Sequence, residues 1–164
     1  MPVRAGDVFT AHGYNLTKPV YVWKTVNESV TNSIVDQLDD ELFLPIEPFS
    51  VYTVLTCVAV SGSTSGDLRL GYSVPTGVSG RRHNMGLAGG ATSTTGPMRI
   101  SVHGWPTAVT YGITSTSVAV IEEGVLYTEA TGGLLHMQWA QNVVNATATV
   151  VEAGSFMKLQ QVIA

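Results

Sequence analysis

Side chains able to do chemistry are present in this chain, but their spacing assembles none of the usual reaction centres. Four histidines, His12, His83, His103 and His136, are scattered without the i, i+4 interval that sets two imidazoles on one zinc. Gly62-Ser63-Thr64-Ser65-Gly66 has the outline of a nucleophile elbow. That motif needs a serine at its centre on a strand-to-helix turn, whereas Thr64 stands there and no helical pattern follows. Gly86, Gly89 and Gly90 lack the Lys-Ser/Thr pair of a phosphate loop. Asp36, Asp39, Asp40 and Glu41 form the densest acidic cluster and offer the oxygen ligands that calcium takes. The ligand spacing and glycine of an EF-hand loop are missing, so a solvated loop is the expected role. A glycosidase needs two carboxylates across a cleft, and nothing sets Asp67 against Glu129. The single cysteine, Cys57, lies in the apolar run Val51 to Val60 and reads as a small buried hydrophobe. These readings predict no enzyme, no metal and no cofactor.

Binding chemistry is better represented. Tyr14, Tyr21, Trp23, Tyr52, Tyr72, Trp105, Tyr111, Tyr127 and Trp139 could supply stacking surfaces, although aromatic residues in strands are more often core or interface. Trp105, between Gly104 and Pro106, reads as a turn residue. With Arg81, Arg82 and His83 it forms the candidate loop for a saccharide ligand, for which host cell-wall glycan is the partner to consider.

The elements that must carry these residues are strands. Runs of Val, Thr, Tyr, Leu and Ile with period two are separated by Gly, Pro, Ser and Asn clusters, the pattern of a sandwich or barrel. About ten strands are predicted, including Val20 to Thr25, a short Glu41 to Ile46 cut by Pro45 and Pro48, Phe49 to Val60 and Asp67 to Val74. Further strands are predicted at Met98 to Val102, Thr107 to Ile113, Leu134 to Gln141, Ala146 to Val151 and Ser155 to Ile163. Ser117 to Glu122 and Val125 to Thr128 read as a hairpin turning at Glu122, Glu123 and Gly124. Residues 75–96 hold too many glycines for a regular element and read as a long excursion. Val30, Ile34, Val35 and Leu38 fall at near-helical spacing within Glu28 to Asp40. Phe49 to Val60 is apolar on both parities, which predicts a central strand with an interface behind it.

Composition narrows the partners. Only 12% of the 164 residues are charged against 45% hydrophobic, so much of the surface is neutral or covered by partners. The net charge of -4, with no dense basic stripe, argues against nucleic acid. No apolar run approaches about 18 residues and no signal sequence opens the chain, so no membrane partner is expected. The predicted organisation is an extended N-terminal arm over residues 1–18, followed by one antiparallel, all-β, jelly-roll-like sandwich over residues 19–164.

A resemblance sharpens this reading. The stretch Gly132-Gly133-Leu134-Leu135-His136-Met137-Gln138-Trp139-Ala140-Gln141-Asn142 is followed by Ala146-Thr147-Ala148-Thr149-Val150 and Ala153-Gly154-Ser155-Phe156-Met157-Lys158-Leu159. It resembles a module of virion proteins from tailed phages that infect actinobacteria. Leu42-Phe43-Leu44-Pro45-Ile46, Ser50-Val51-Tyr52-Thr53-Val54 and Gly71-Tyr72-Ser73-Val74-Pro75-Thr76-Gly77 extend the likeness over most of residues 40 to 160. The resemblance implies a sandwich similar in outline to the tumour-necrosis-factor and C1q heads, a homotrimer on the outside of the particle and no catalytic residues. It makes Tyr52, Val54, Met137, Trp139 and Phe156 the trimer-interface candidates. It also lets the arm, through Val3, Val8, Phe9, Tyr14 and Leu16, reach across the major capsid protein. A virion-located head-decoration protein is the expected role, with a minor tail or fibre protein that binds glycan as the alternative.

Overall fold

The computed structural model describes residues 18–162. The arm candidates Val3, Val8, Phe9, Tyr14 and Leu16 lie outside the described residues. The described chain is all-β. Its twelve strands are β1 (Val20–Trp23), β2 (Glu28–Val30), β3 (Gln37–Ile46), β4 (Val51–Ser61), β5 (Leu68–Ser73), β6 (Ser79–Leu87), β7 (Met98–His103), β8 (Val109–Tyr111), β9 (Val118–Tyr127), β10 (Gly133–Gln141), β11 (Thr149–Val151) and β12 (Phe156–Val162).

Two antiparallel sheets face one another. The larger has the order β1-β12-β4-β9-β6-β7, with β11 alongside β4 and β2 beyond it; the smaller has the order β3-β10-β5-β8. The chain crosses repeatedly between the sheets and pairs early strands with late ones, as β1 with β12 and β3 with β10. That winding is a jelly roll, to which β6 and β7 add an antiparallel pair beyond β9.

Period two decides what is buried. Tyr52, Val54, Val58 and Val60 of β4 point inward and meet Leu68, Leu70 and Tyr72 of β5 and Leu135, Met137 and Trp139 of β10 within one continuous core. The two sheets therefore need both inner faces apolar, and a one-residue slip in any of these strands would expose its whole inward set. β3 departs from regularity where β10 passes from His136 to Gln138, because the facing residues are Phe43 and Leu38. The extra residues loop out as a bulge, and the Asp39 carboxylate holds it by accepting the N–H groups of Glu41 and Leu42 at 3.0 and 2.9 Å.

Four sequence expectations need correction. The long excursion over residues 75–96 is instead occupied by the nine-residue strand β6, paired with both β9 and β7. Its glycines allow close packing within a strand: a Cβ at Gly80, whose φ of 111° also favours glycine, would lie 2.1 Å from the Val125 carbonyl oxygen, and one at Gly86 would lie 2.8 Å from the Tyr111 ring. The hairpin turn at Glu122 to Gly124 is absent, since β9 runs unbroken through it. Gly124 serves the same purpose as Gly80, because its Cβ would meet the Arg81 carbonyl oxygen at 2.1 Å. The near-helical spacing over Glu28 to Asp40 corresponds to β2 and the start of β3. Cys57 lies on the outer face of β4, half-buried rather than in the core.

Candidate assembly surface

The feature that sets this sandwich apart is the outer face of its larger sheet. Odd-numbered residues of β4 point away from the core, and strand registers carry that parity sideways. Trp23 pairs with Phe156, Phe156 with Cys57, Cys57 with Ile121, Ile121 with Met85, and Met85 with Ile100. Six strands thus contribute one unbroken apolar row, whose ends are 62% exposed at Trp23 and 79% exposed at Ile100. The row beside it reads Tyr21, Lys158, Leu55, Glu123, His83, Val102. Leu55, His83, Glu123 and Lys158 line a shallow depression of about 300 Å³ within it. Apolar faces of this breadth are uncommon on the free surface of monomeric proteins.

A second apolar patch caps one end. Residues 32–36 and 142–147 are tied together by the Asn32 N–H on the Asn145 carbonyl at 3.0 Å. The Gln141 side chain strengthens the tie, its Oε1 accepting the Ser33 N–H at 3.4 Å and the Asn145 N–H at 3.1 Å while its amide donates to the Thr147 carbonyl at 2.9 Å. Asp36 is clamped by Arg69, with 2.7 Å between Oδ1 and Nη2. The two loops present Ile34, Val35, Val143 and Val144, with Val35 75% exposed. Beside β1, Tyr21, Trp23 and Phe43 line a third feature, an open concavity of about 460 Å³ with Asp40 and Glu41 at its polar side.

The residues singled out from sequence fall differently. Tyr52, Val54, Met137 and Trp139 are buried within the protomer, so their side chains are not available to an interface between copies. Phe156 belongs to the outward row. Of the candidate ligand loop, Arg81 and His83 are exposed on the outer face, whereas Arg82 and Trp105 are wholly buried. Trp105 packs edge-on against Tyr72 and donates its indole N–H to the Val125 carbonyl at 2.9 Å, so it is a core residue and no saccharide shelf. The acidic cluster is dispersed: Asp36 meets Arg69, Asp39 meets Lys24 and Glu41 meets Thr25, leaving Asp40 exposed. Period-two reading found the β4 part of the outward row, through the apolar odd parity of that strand, but not the five strands that extend it.

Two buried polar clusters hold the frame. Arg82 of β6 stacks over the Tyr72 ring, bonds the Thr107 carbonyl and pairs with Glu122 of β9 at 3.1 Å. Glu122 also accepts from the Asn84 amide at 2.6 Å and the Tyr111 hydroxyl at 2.5 Å. Burial, and then the Glu122 charge, push the Tyr111 phenol far above its ordinary value, so it stays a proton donor. The second cluster closes the β1 end, where buried Lys24 reaches Glu28 at 2.7 Å and Asp39 at 2.9 Å. Burial alone would lower the Lys24 pKa, but the two carboxylates together outweigh it and hold the ammonium charged. Among the described residues no group of three or more His, Cys, Asp or Glu side chains could hold a metal ion.

No family model matches the chain, and no curated protein sequence matches it significantly. A structure of infectious bursal disease virus, strain Gx, superposes over 88% of this chain at 9% identity with a TM-score of 0.22, and one of strain Gt over 88% at 10% identity with a TM-score of 0.15. The chain spans 39% and 38% of the length of those two proteins. Overlaps of that quality assign neither a family nor a role.

Proposed function

We propose that the chain is a structural protein of a virus particle, a capsid-decoration protein that packs against copies of itself and against the shell. The observation that carries this reading is the row of outward apolar side chains across the larger sheet, from Trp23 to Ile100, joined by the patch of Ile34, Val35, Val143 and Val144 at one end. Low charge, the jelly-roll winding and the sequence likeness over residues 40 to 160 support it. No catalytic role is proposed. The end patch of Val35 and Val144 is the surface offered to the capsid.

Purified protein is added to capsids of a tailed phage of actinobacteria from which accessory proteins have been stripped. Saturable binding is expected, and its loss in Val35→Asp/Val144→Asp with an unchanged melting temperature locates the contact. Absence of binding by the unaltered protein overturns the decoration reading.

The open concavity favours a second reading, a tail or fibre protein that meets cell-surface glycan, because Tyr21, Trp23 and Phe43 beside Asp40 suit a sugar ring. Binding of cell-wall saccharide that disappears in Trp23→Ala would establish it; no saccharide binding would remove it.

A further inference from the structure

We infer that the outer face of the larger sheet is a twofold contact, on which a second copy of this chain sits with its β4 running alongside the first. The inference deepens the assembly reading by naming the occupant of that face. The charge pattern selects the geometry. In the second row Lys158 lies one strand to one side of Leu55 on β4 and Glu123 one strand to the other. Neither side chain has an ion-pair or hydrogen-bond partner among the described residues of the protomer. A twofold axis lying between the sheets and parallel to β4 exchanges left and right while keeping each row opposite itself. Lys158 of each copy then faces Glu123 of the other, and Leu55 faces Leu55. An axis across the strands would instead set Lys158 against Lys158 and Glu123 against Glu123, which like-charge repulsion disfavours.

The apolar row obeys the same operation. Phe156 meets Ile121, Trp23 meets Met85 in an aromatic–thioether contact, and Cys57 lies on the axis opposite its own copy. An axis on β4 overlays β1, β12, β4, β9 and β6 on their mates and leaves β7 outside, so five strands spaced about 4.8 Å apart, over the eight residue steps from Val51 to Ala59, offer a face of about 19 by 26 Å. Pairing two such faces removes on the order of 1,000 Å² from water, at the lower threshold for a specific interface. The sequence likeness implies three copies about one axis, whereas this pattern of charges selects two.

The experiment measures the mass of the full chain in solution, without capsids, by sedimentation equilibrium across micromolar concentrations. A dimer is expected. Lys158→Glu and Glu123→Lys should each weaken it about tenfold or more, and the double reversal should restore it, with circular dichroism reporting that each variant is folded. Maleimide modification of Cys57, the single cysteine, should be slower in the dimer than in the dissociated Lys158→Glu variant, because the axis covers the thiol. A monomer, a trimer, or a double reversal no tighter than the single ones overturns the inference. Capsid binding by a monomer or trimer would leave the decoration reading standing while removing this one. A dimer that ignores capsids would do the reverse.

Discussion

Replacing Arg82 by Met and Glu122 by Leu, singly and together, tests whether the polar cluster between the sheets is a mutual dependence or an asset. Arg82→Met keeps an unbranched apolar stem but removes the charge, and leaves the Glu122 carboxylate, 1% exposed, with only the Asn84 amide and the Tyr111 hydroxyl. Glu122→Leu leaves a guanidinium with no exposure and one remaining hydrogen bond, to the Thr107 carbonyl. Uncompensated buried charge costs about 3–5 kcal/mol. For a chain of this size that corresponds to a melting temperature lower by about 6–20 °C. The double variant removes both charges and is left mainly with the Asn84 and Tyr111 donors deprived of a shared acceptor, about 1–3 kcal/mol. It should therefore be more stable than either single variant. Urea unfolding of all four proteins at constant m-value gives the coupling energy directly. Double-variant losses equal to the sum of the single ones, or an Arg82→Met loss under about 1 kcal/mol, would refute the reasoning.

Three further outcomes follow from the same geometry. Trp105→Ala empties a fully buried site and should cost about 3–5 kcal/mol in chemical denaturation while leaving surface properties unchanged; a loss under about 1 kcal/mol would return Trp105 to the surface. Phe49 is held at φ 49° with its side chain 81% exposed, so Phe49→Asn should gain about 1 kcal/mol, read as a rise in melting temperature, and a fall would show that the ring makes a stabilising contact. The Thr25 hydroxyl and backbone N–H hold the Glu41 carboxyl below the usual glutamate range. Because the folded-state value is depressed, its stabilisation is present above about pH 4.3 and is lost as pH falls through the folded-state value. Thermal melts should accordingly show Glu41→Gln less stable than the parent protein at pH 7, with the gap closing in acid; a constant gap would sink the assignment.

Strand identity was legible wherever one face met the core. Leu135, Met137 and Trp139 alternate with His136 and Gln138, and the structure buries the first set. Strand β6 escaped because glycine was read as a breaker, whereas Gly80, Gly86 and Gly124 are small so that carbonyls and the Tyr111 ring can approach. Arg82 escaped with it, since a charged residue in a glycine-rich segment reads as surface until its partner Glu122, forty positions away, is brought alongside. The outward row was foreshadowed on β4 alone. Its other five members come from strands scattered over the chain, and only the pairing registers line them up.

The position of β12 has a consequence for how the molecule comes into being. It is the last described strand, and it lies between β1 and β4, hydrogen-bonded to both. Until residues 156–162 have emerged from the ribosome, the central strand of the larger sheet keeps a naked edge and β1 has no neighbour to join. The earlier strands can collapse but cannot finish, so completion waits on the appearance of β12 and on contacts between residues about a hundred or more positions apart. Folding of this topology should be slow, and the unfinished β4 edge is where nascent chains would stick to one another.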